Sequence, residues 1–137
     1  MALIHLDAGV LIGFLDANDV HHPAAREVIT EAVGGADRLA MAASALAECL
    51  VAPARRGDDA VRLIHDLLQR LPVEIVPLDV DTATTAARLR ARHRSLRLPD
   101  ALVIATAAEH GADRLITTDR GWPTAKTLRL QAKLQHL

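Results

Sequence analysis

Short apolar runs alternate along this chain with longer segments in which apolar and polar positions follow a helical period. The apolar runs lie at residues 2–6, 39–42, 74–77 and 114–117 and are typical of buried strands. The longer segments carry apolar residues at the i, i+3, i+4 spacing of an amphipathic helix, as in Val61, Ile64 and Leu68. This alternation predicts an α/β fold with a central, mostly parallel sheet of four to five strands flanked by helices.

Capping and breaking residues set the expected helix boundaries. Predicted helices cover residues 9–15, 22–33, a segment from near Ser44, 58–71, a segment capped by Asp81, and 99–110. Asp58 is the expected cap of the fourth helix, and Gly111 the expected end of the last. Residues 127–130 are predicted to add an edge strand, and residues 131–137 to form a loose tail. No linker or shift in composition divides the chain, so we expect one domain over residues 1–137.

Four acidic residues occupy positions where an α/β sheet gathers polar side chains. Asp7 and Asp119 each follow a strand-like run, Glu48 lies one turn into a helix, and Asp100 follows a helix-opening proline. Ligands of open parallel sheets bind outside the carboxyl ends of the strands, so these acids are expected to converge. A divalent cation would remove their mutual repulsion. For each acid taken alone, a helix cap or a solvated surface charge is the competing interpretation.

Composition narrows the possible functions. Phe14 and Trp122 are the only aromatic residues, which argues against a base-stacking platform. Cys49 is the only cysteine, so an internal disulfide and a multi-cysteine zinc site are both excluded. A lone cysteine fits a reducing compartment, and no apolar run approaches the roughly 20 residues needed to cross a bilayer. We therefore expect a cytoplasmic protein that does not span a membrane.

Charge is distributed unevenly along the chain. The 16 Lys and Arg residues face 17 Asp and Glu residues, and setting the four candidate ligands aside leaves 17 − 4 = 13 acids, so the remaining surface is mildly basic. No acid lies between Thr82 and Pro99, whereas that stretch holds Arg88, Arg90, Arg92, Arg94 and Arg97. These arginines are candidates for contacts with an RNA phosphate backbone, an attraction that weakens with salt. The competing interpretation is a solvated helix surface.

Four segments of the chain, taken together, resemble PIN-domain ribonucleases, and the size and spacing resemble a VapC-type toxin of a bacterial toxin–antitoxin pair. The segments are residues 6–12 (LDAGVLI), 44–48 (SALAE), 98–107 (LPDALVIATA) and 115–119 (LITTD). The resemblance covers nearly the whole chain and implies a PIN-like three-layer fold. It also implies Mg²⁺ or Mn²⁺ as cofactor, RNA as substrate, a cognate antitoxin as partner and a homodimer.

The resemblance also assigns residues to the site. Asp7, Glu48, Asp100 and Asp119 match the four acidic metal-site positions of the family, and Thr117 matches its hydroxyl position. Asp7 and Asp100 are the expected direct ligands. Glu48 is expected to hold or deprotonate a water, and Asp119 to bind a second ion or to orient waters. One position departs from the pattern, because Gly9 stands where the family usually has Ser, Thr or Asn.

Three functional hypotheses remain open on the sequence. The first is a metal-dependent endoribonuclease toxin that cleaves structured RNA. The second is a non-catalytic PIN-like module that binds RNA or a protein, which the missing side chain at Gly9 makes conceivable. The third is a phospho-acceptor regulatory domain, but such a domain carries an acidic pair after its first strand, and Asp7 stands alone. Residues 9–15 and 58–71 are the expected sources of apolar surface for a partner or a second copy, unless they pack only in the core.

Overall fold

Five strands form one all-parallel sheet in the computed structural model, which describes residues 1–137. The strands are β1 (Leu3–Leu6), β2 (Arg38–Ala42), β3 (Val73–Val76), β4 (Arg114–Thr117) and β5 (Lys133–His136). Their order across the sheet is β3-β2-β1-β4-β5, so β1 is central and all four of its residues are buried. The predicted α/β fold with a parallel sheet is confirmed.

Seven helices flank this sheet. They are α1 (Ala8–Leu15), α2 (His22–Gly34), α3 (Ala43–Arg56), α4 (Asp58–Arg70), α5 (Val80–Arg92), α6 (Leu98–Glu109) and α7 (Ala125–Leu128). α2, α3 and α6 pack against β2, and α5 covers α6. This cover explains why α6 is buried on more than one face, at Ala101, Val103, Ile104, Ala105 and Ala107. None of the helices combines the length and the apolar character needed to cross a bilayer.

The core is aliphatic, as the scarcity of aromatic residues requires. Ile4, Leu11, Met41, Ile104 and Ile116 are among its fully buried side chains. Burying such a side chain contributes roughly 1.5–3 kcal/mol, and truncating one to alanine costs about 2–5 kcal/mol because a cavity remains. Cys49 is buried in this core as a free thiol.

The carboxyl-terminal segment differs from the expectation at two places. Residues 125–128 are a short helix, because the Thr124 side chain accepts a hydrogen bond from the Thr127 N–H and caps it. The predicted edge strand at 127–130 is therefore wrong. The expected loose tail at 131–137 is also wrong, since residues 133–136 pair with β4 as the edge strand β5. This pairing is made by backbone groups of a distant segment, which the local sequence does not reveal.

Two predicted caps are also displaced. The N-cap of α4 is Gly57, with Asp58 already in the first helical turn. The N-cap of α5 is Asp79, whose carboxylate accepts a hydrogen bond from the Thr82 N–H, so Asp81 lies in the first turn. Acidic residues in a first turn still favour the helix through the helix dipole.

The strand order creates a crevice next to β1. From β1 the chain proceeds to β2 on one side, whereas β4 lies on the other side and leads on to β5. The carboxyl ends of β1 and β4 therefore meet at a topological switch point, the usual position of a ligand site in an open parallel sheet. Asp7 directly follows β1, and Thr117 is the last residue of β4.

Candidate active site

Asp7 is the most constrained acid at this edge of the sheet. Its N–H continues the sheet by donating to the Ile116 carbonyl at 2.9 Å. One carboxylate oxygen accepts from the Ala8 N–H at 2.8 Å and so caps α1, while the other accepts from the Thr117 hydroxyl at 2.8 Å. The residue is only 8% exposed. Asp7 is thus both a helix cap and a buried acid held in one orientation.

Thr117 connects two of the predicted site residues. Its fully buried hydroxyl donates to Asp7 and accepts from the Asp119 N–H at 3.0 Å. A hydroxyl can do both at once because it carries one proton and two lone pairs. The structure therefore places Asp7, Thr117 and the backbone of Asp119 in one hydrogen-bonded group.

The electrostatics of Asp7 show which other acids lie near it. Burial raises the pKa of the Asp7 carboxyl to about 6; the hydrogen bonds from Thr117 and Ala8 oppose this rise, and the negative charges of Asp100 and Glu48 add to it. Like charges raise a pKa in this way only when they are close and poorly screened. Glu48 and Asp100 are therefore near enough to Asp7 for their charges to act on it, although at least 41 positions of sequence separate them from it.

Glu48 and Asp100 reach the site from two different helices. Glu48 lies on α3 and is exposed. Asp100 lies in the first turn of α6, and its side chain is 14% exposed. The Arg97 guanidinium approaches the Asp100 carboxylate at 3.5 Å, but this arginine is 76% exposed. Such an exposed ion pair contributes little to stability, so it leaves Asp100 available to another cation.

Asp119 lies at the rim. One of its carboxylate oxygens accepts from the Gly121 N–H at 2.8 Å and so closes a turn after β4. Its charge is not among those that raise the pKa of Asp7. The sequence predicted that Asp119 lies at this edge of the sheet, and the structure places it there, with its carboxylate bonded to the Gly121 N–H.

The side chains of this region decide whether the implied divalent cation fits. No three carboxylate, imidazole or thiol groups converge as a preformed set of metal ligands. The available donors nevertheless fit Mg²⁺ or Mn²⁺, since they are carboxylate oxygens around a buried acid whose ionisation their repulsion disfavours. A hard cation that keeps several of its waters suits such an open arrangement.

Thr118 belongs to this region, although the sequence motifs did not assign it to the site. The hydroxyl of Thr118 stands over Gly9, so that a Cβ built on Gly9 would lie 2.2 Å from it. The signal in the sequence was the Thr117-Thr118 pair before Asp119, of which only the first was assigned. Cys49 lies close to the site as well, and burial, with the charges of Glu48 and Asp7, raises the pKa of its thiol to about 12. A thiol of this kind is not a nucleophile at neutral pH.

The predicted basic segment is solvent-exposed. Arg88, Arg90 and Arg92 lie at the end of α5, Arg94 in the following turn, and Arg97 at the N-cap of α6. Arg88 and Arg92 share a face of α5 because they are four residues apart, whereas Arg90 points away from both. Arg97 alone of the five forms an ion pair.

Comparison with known proteins identifies the family. The family model described as the PIN domain matches residues 4–127 of the chain. The chain belongs to the PIN domain family. The resemblance inferred from the four sequence segments is therefore confirmed, and the phospho-acceptor hypothesis loses its support.

Individual PIN domain proteins are similar over most of the chain. Ribonuclease VapC13 of Mycobacterium tuberculosis is 27% identical over 121 residues, which cover 88% of this chain and 92% of that protein. VapBC2 of Rickettsia felis, solved bound to a DNA fragment from its promoter, has a TM-score of 0.73 at 14% identity and covers 98% of both chains. VapC20 of Mycobacterium tuberculosis, described as a sarcin-ricin loop cleaving toxin, has a TM-score of 0.62 at 20% identity and covers 82% of this chain and 86% of that one.

Proposed function

We propose that this PIN domain is a divalent-metal-dependent endoribonuclease and the toxin of a toxin–antitoxin pair. The observation that carries the proposal is the Asp7 carboxyl, which Thr117 orients and whose pKa is raised to about 6 by burial and, to a smaller extent, by the charges of Asp100 and Glu48. A structural helix cap gains nothing from two further acids placed against it. The similarity to a protein named as a VapC ribonuclease points to the same activity.

In this proposal the acids divide the work according to their positions. Asp7 and Asp100 would hold Mg²⁺ or Mn²⁺, which when bound would lower the pKa of a water and neutralise charge on the phosphoryl oxygens. Exposed Glu48 orients or deprotonates the attacking water, because a carboxylate that solvent can reach accepts hydrogen bonds and can take up a proton. Asp119 orients waters at the rim, and Thr117 keeps Asp7 in place.

We propose structured RNA as the substrate class. Arg88, Arg90, Arg92, Arg94 and Arg97 are exposed, and they lead along the chain directly to Asp100. Their charge favours approach of a phosphate backbone without selecting a sequence. The description of VapC20 as a sarcin-ricin loop cleaving toxin supports structured RNA as the first class to test.

An antitoxin segment is the proposed occupant of a groove beside the site. A cavity of about 470 Å³ is lined by apolar residues of α1, α3 and α4 together with the charged residues Glu48, Asp16 and Arg56. Its apolar lining includes Ile12, Leu15, Ala52, Pro53 and Ile64. A segment with apolar anchors and one arginine would fill the groove and neutralise Glu48. The solved VapBC assemblies support a protein partner of this type.

A homodimer is part of the proposal. Leu63 on α4 is 68% exposed, so this helix offers apolar surface to a second copy of the chain. Light scattering of the purified protein should give twice the mass of one chain. A monomer at micromolar concentration would contradict this assembly without affecting the nuclease.

RNA cleavage with matched variants tests the enzymatic proposal. The protein with Mn²⁺ or Mg²⁺ should cleave a structured RNA, and EDTA or Asp100→Asn should abolish cleavage. Asp66→Asn is the control, because Asp66 is an exposed acid on α4. Folded protein that binds RNA but never cleaves it would support the non-catalytic module instead. Sequencing of RNA ends after induction identifies the target. An active enzyme that does not slow growth when it is induced would exclude the toxin role and leave the nuclease activity intact.

A further inference from the structure

A side chain at Gly9 would meet the Thr118 hydroxyl, whereas the backbone at this position does not call for glycine. A Cβ built on this residue would lie 2.2 Å from the Thr118 hydroxyl oxygen, 3.4 Å from its Cβ and 3.6 Å from its Cγ2. Real Cβ atoms do not approach other atoms so closely. Gly9 is not among the glycines with positive φ, which are Gly57 and Gly111. Glycine stands at this position because the side chain of Thr118 fills the space.

This contact lies next to Asp7. Gly9 is in the first turn of α1, the turn that the Asp7 carboxylate caps. Thr118 lies between Thr117, which donates to that carboxylate, and Asp119, whose N–H donates to Thr117. The Thr118 hydroxyl therefore reaches from the end of β4 across to the helix that begins at the site.

The two neighbouring hydroxyls differ in what they bind. The Thr117 hydroxyl is fully buried and uses its proton and a lone pair within the protein. The Thr118 hydroxyl takes part in no hydrogen bond with the protein, and its residue is only partly buried. A polar group held in a tight fit, partly exposed and without a protein partner, is free to bind water at the site.

We propose that Thr118 is a positioning residue whose hydroxyl replaces a side chain at position 9 and hydrogen-bonds a water at the carboxylate site. The inference rests on the proposed function, since the water is one that the carboxylates and their cation hold. Carboxylates only accept hydrogen bonds, whereas a hydroxyl also donates, so Thr118 supplies a donor that the acids lack. Partners of this kind, which fix the ligands and waters of a metal, typically change metal affinity by about 10–100-fold.

The steric part of the proposal is tested without metal. Gly9→Ala should lower the melting temperature, although alanine normally stabilises a helix relative to glycine. Gly34→Ala is the matched control, because nothing lies within 4 Å of a Cβ at that helical glycine. Gly9→Ala combined with Thr118→Ala should recover the loss. A Gly9→Ala protein as stable as the control would overturn the assigned contact.

The polar part is tested by Mn²⁺ binding, measured by calorimetry on the RNA-free protein. Thr118→Val keeps the shape but removes the hydroxyl and should weaken binding about 10-fold or more, whereas Thr118→Ser should bind as wild type. Gly9→Ser with Thr118→Ala returns a hydroxyl to position 9 and should restore affinity. Wild-type affinity in a folded Thr118→Val protein would overturn this inference alone. Wild-type protein that binds no Mn²⁺ would overturn the metal-dependent activity and the inference with it.

Discussion

The Thr117 hydroxyl and the Asp7 carboxylate lie 2.8 Å apart, although 110 positions of sequence separate them. The contact exists because β1 and β4 are parallel neighbours in which Leu6 lies beside Ile116. The residues that follow these two, Asp7 and Thr117, therefore lie side by side at the carboxyl edge of the sheet. The hydroxyl opposes the rise in the pKa of Asp7 that burial causes. The pairing of β1 with β4 therefore positions a hydrogen-bond donor that affects the pKa of Asp7.

Thr117→Val should weaken both functions of this contact. It removes a donor from Asp7 and an acceptor from the Asp119 N–H, so we expect a loss of about 1–3 kcal/mol in the free energy of unfolding. The pKa of Asp7 should rise further, which moves the pH midpoint of Mn²⁺ binding upward. Urea unfolding and calorimetry across pH measure the two effects. Thr106→Val, at a buried threonine bonded only to its own helix, should leave the midpoint unchanged.

Asp7→Asn should stabilise the metal-free protein at pH 8. The pKa of Asp7 is about 6 in the folded chain, against an ordinary value of 3.8. The folded state therefore gains its full stabilisation from the neutral carboxyl below pH 3.8 and loses it as pH rises through 6. At roughly 1.4 kcal/mol per pH unit, this difference corresponds to about 3 kcal/mol. Asparagine still caps α1, and the advantage over wild type should vanish towards pH 4.

Denaturation of Asp7→Asn with EDTA present, beside Asp66→Asn as an exposed control, measures this effect. A variant less stable than wild type at pH 8 would show that the charges around Asp7 are relieved without a cation. With Mn²⁺ at roughly 1,000 times Kd the order should reverse, since a ligand that binds only the native state then stabilises wild type by about 4.1 kcal/mol.

His5 should cause a loss of stability in acid. Its Nε2 lies 2.8 Å from Nδ1 of His110, whose Nε2 lies 3.4 Å from the Glu74 carboxylate. Burial, with a smaller effect of the His110 charge, lowers the pKa of His5 from 6.5 to about 4. Between pH 6.5 and about 4, His5 is protonated in the unfolded chain but not in the folded chain. The free energy of unfolding therefore falls as pH decreases through this range. The loss corresponds to about 3 kcal/mol.

Urea unfolding between pH 7 and 4 should therefore show a flatter decline in His5→Leu than in His65→Leu, whose histidine is exposed on α4. Asp7 acts in the opposite direction over part of this range, so the comparison is best made in an Asp7→Asn background. Equal slopes in the two histidine variants would assign the acid sensitivity to other groups.

Reversing charge in the basic segment should affect RNA binding and not the chemical step. Arg92→Glu with Arg94→Glu should raise KM and flatten the dependence of KM on salt, while kcat stays nearly constant. Arg26→Glu with Arg70→Glu changes the net charge equally at exposed arginines of α2 and α4 and serves as the control. A fall in kcat alone would indicate a displaced Asp100 instead of a lost phosphate contact.

The sequence by itself determined the elements with a strong local signal. The apolar runs gave β1 to β4 within one residue at either end, and the periodic segments gave α1 to α6, because burial of these residues follows directly from their spacing. The same signals placed Asp7 after β1 and Asp100 in the first turn of α6. The sequence placed the cap of α5 at Asp81, and only the hydrogen bond from the Thr82 N–H to the Asp79 carboxylate shows that the cap is Asp79.

Tertiary structure decided everything that depends on contacts between distant segments. β5 exists because its backbone pairs with β4, and its own residues are too polar and too few to predict a strand. The role of Gly9 also depends on a distant segment. In the sequence alone, Gly9 is only a position at which the usual polar side chain of the family is absent. Only the approach of Thr118 from the end of β4 shows that the space is already filled. The pKa of Asp7 likewise depends on burial and on charges from two other helices, quantities that no single segment of the chain contains.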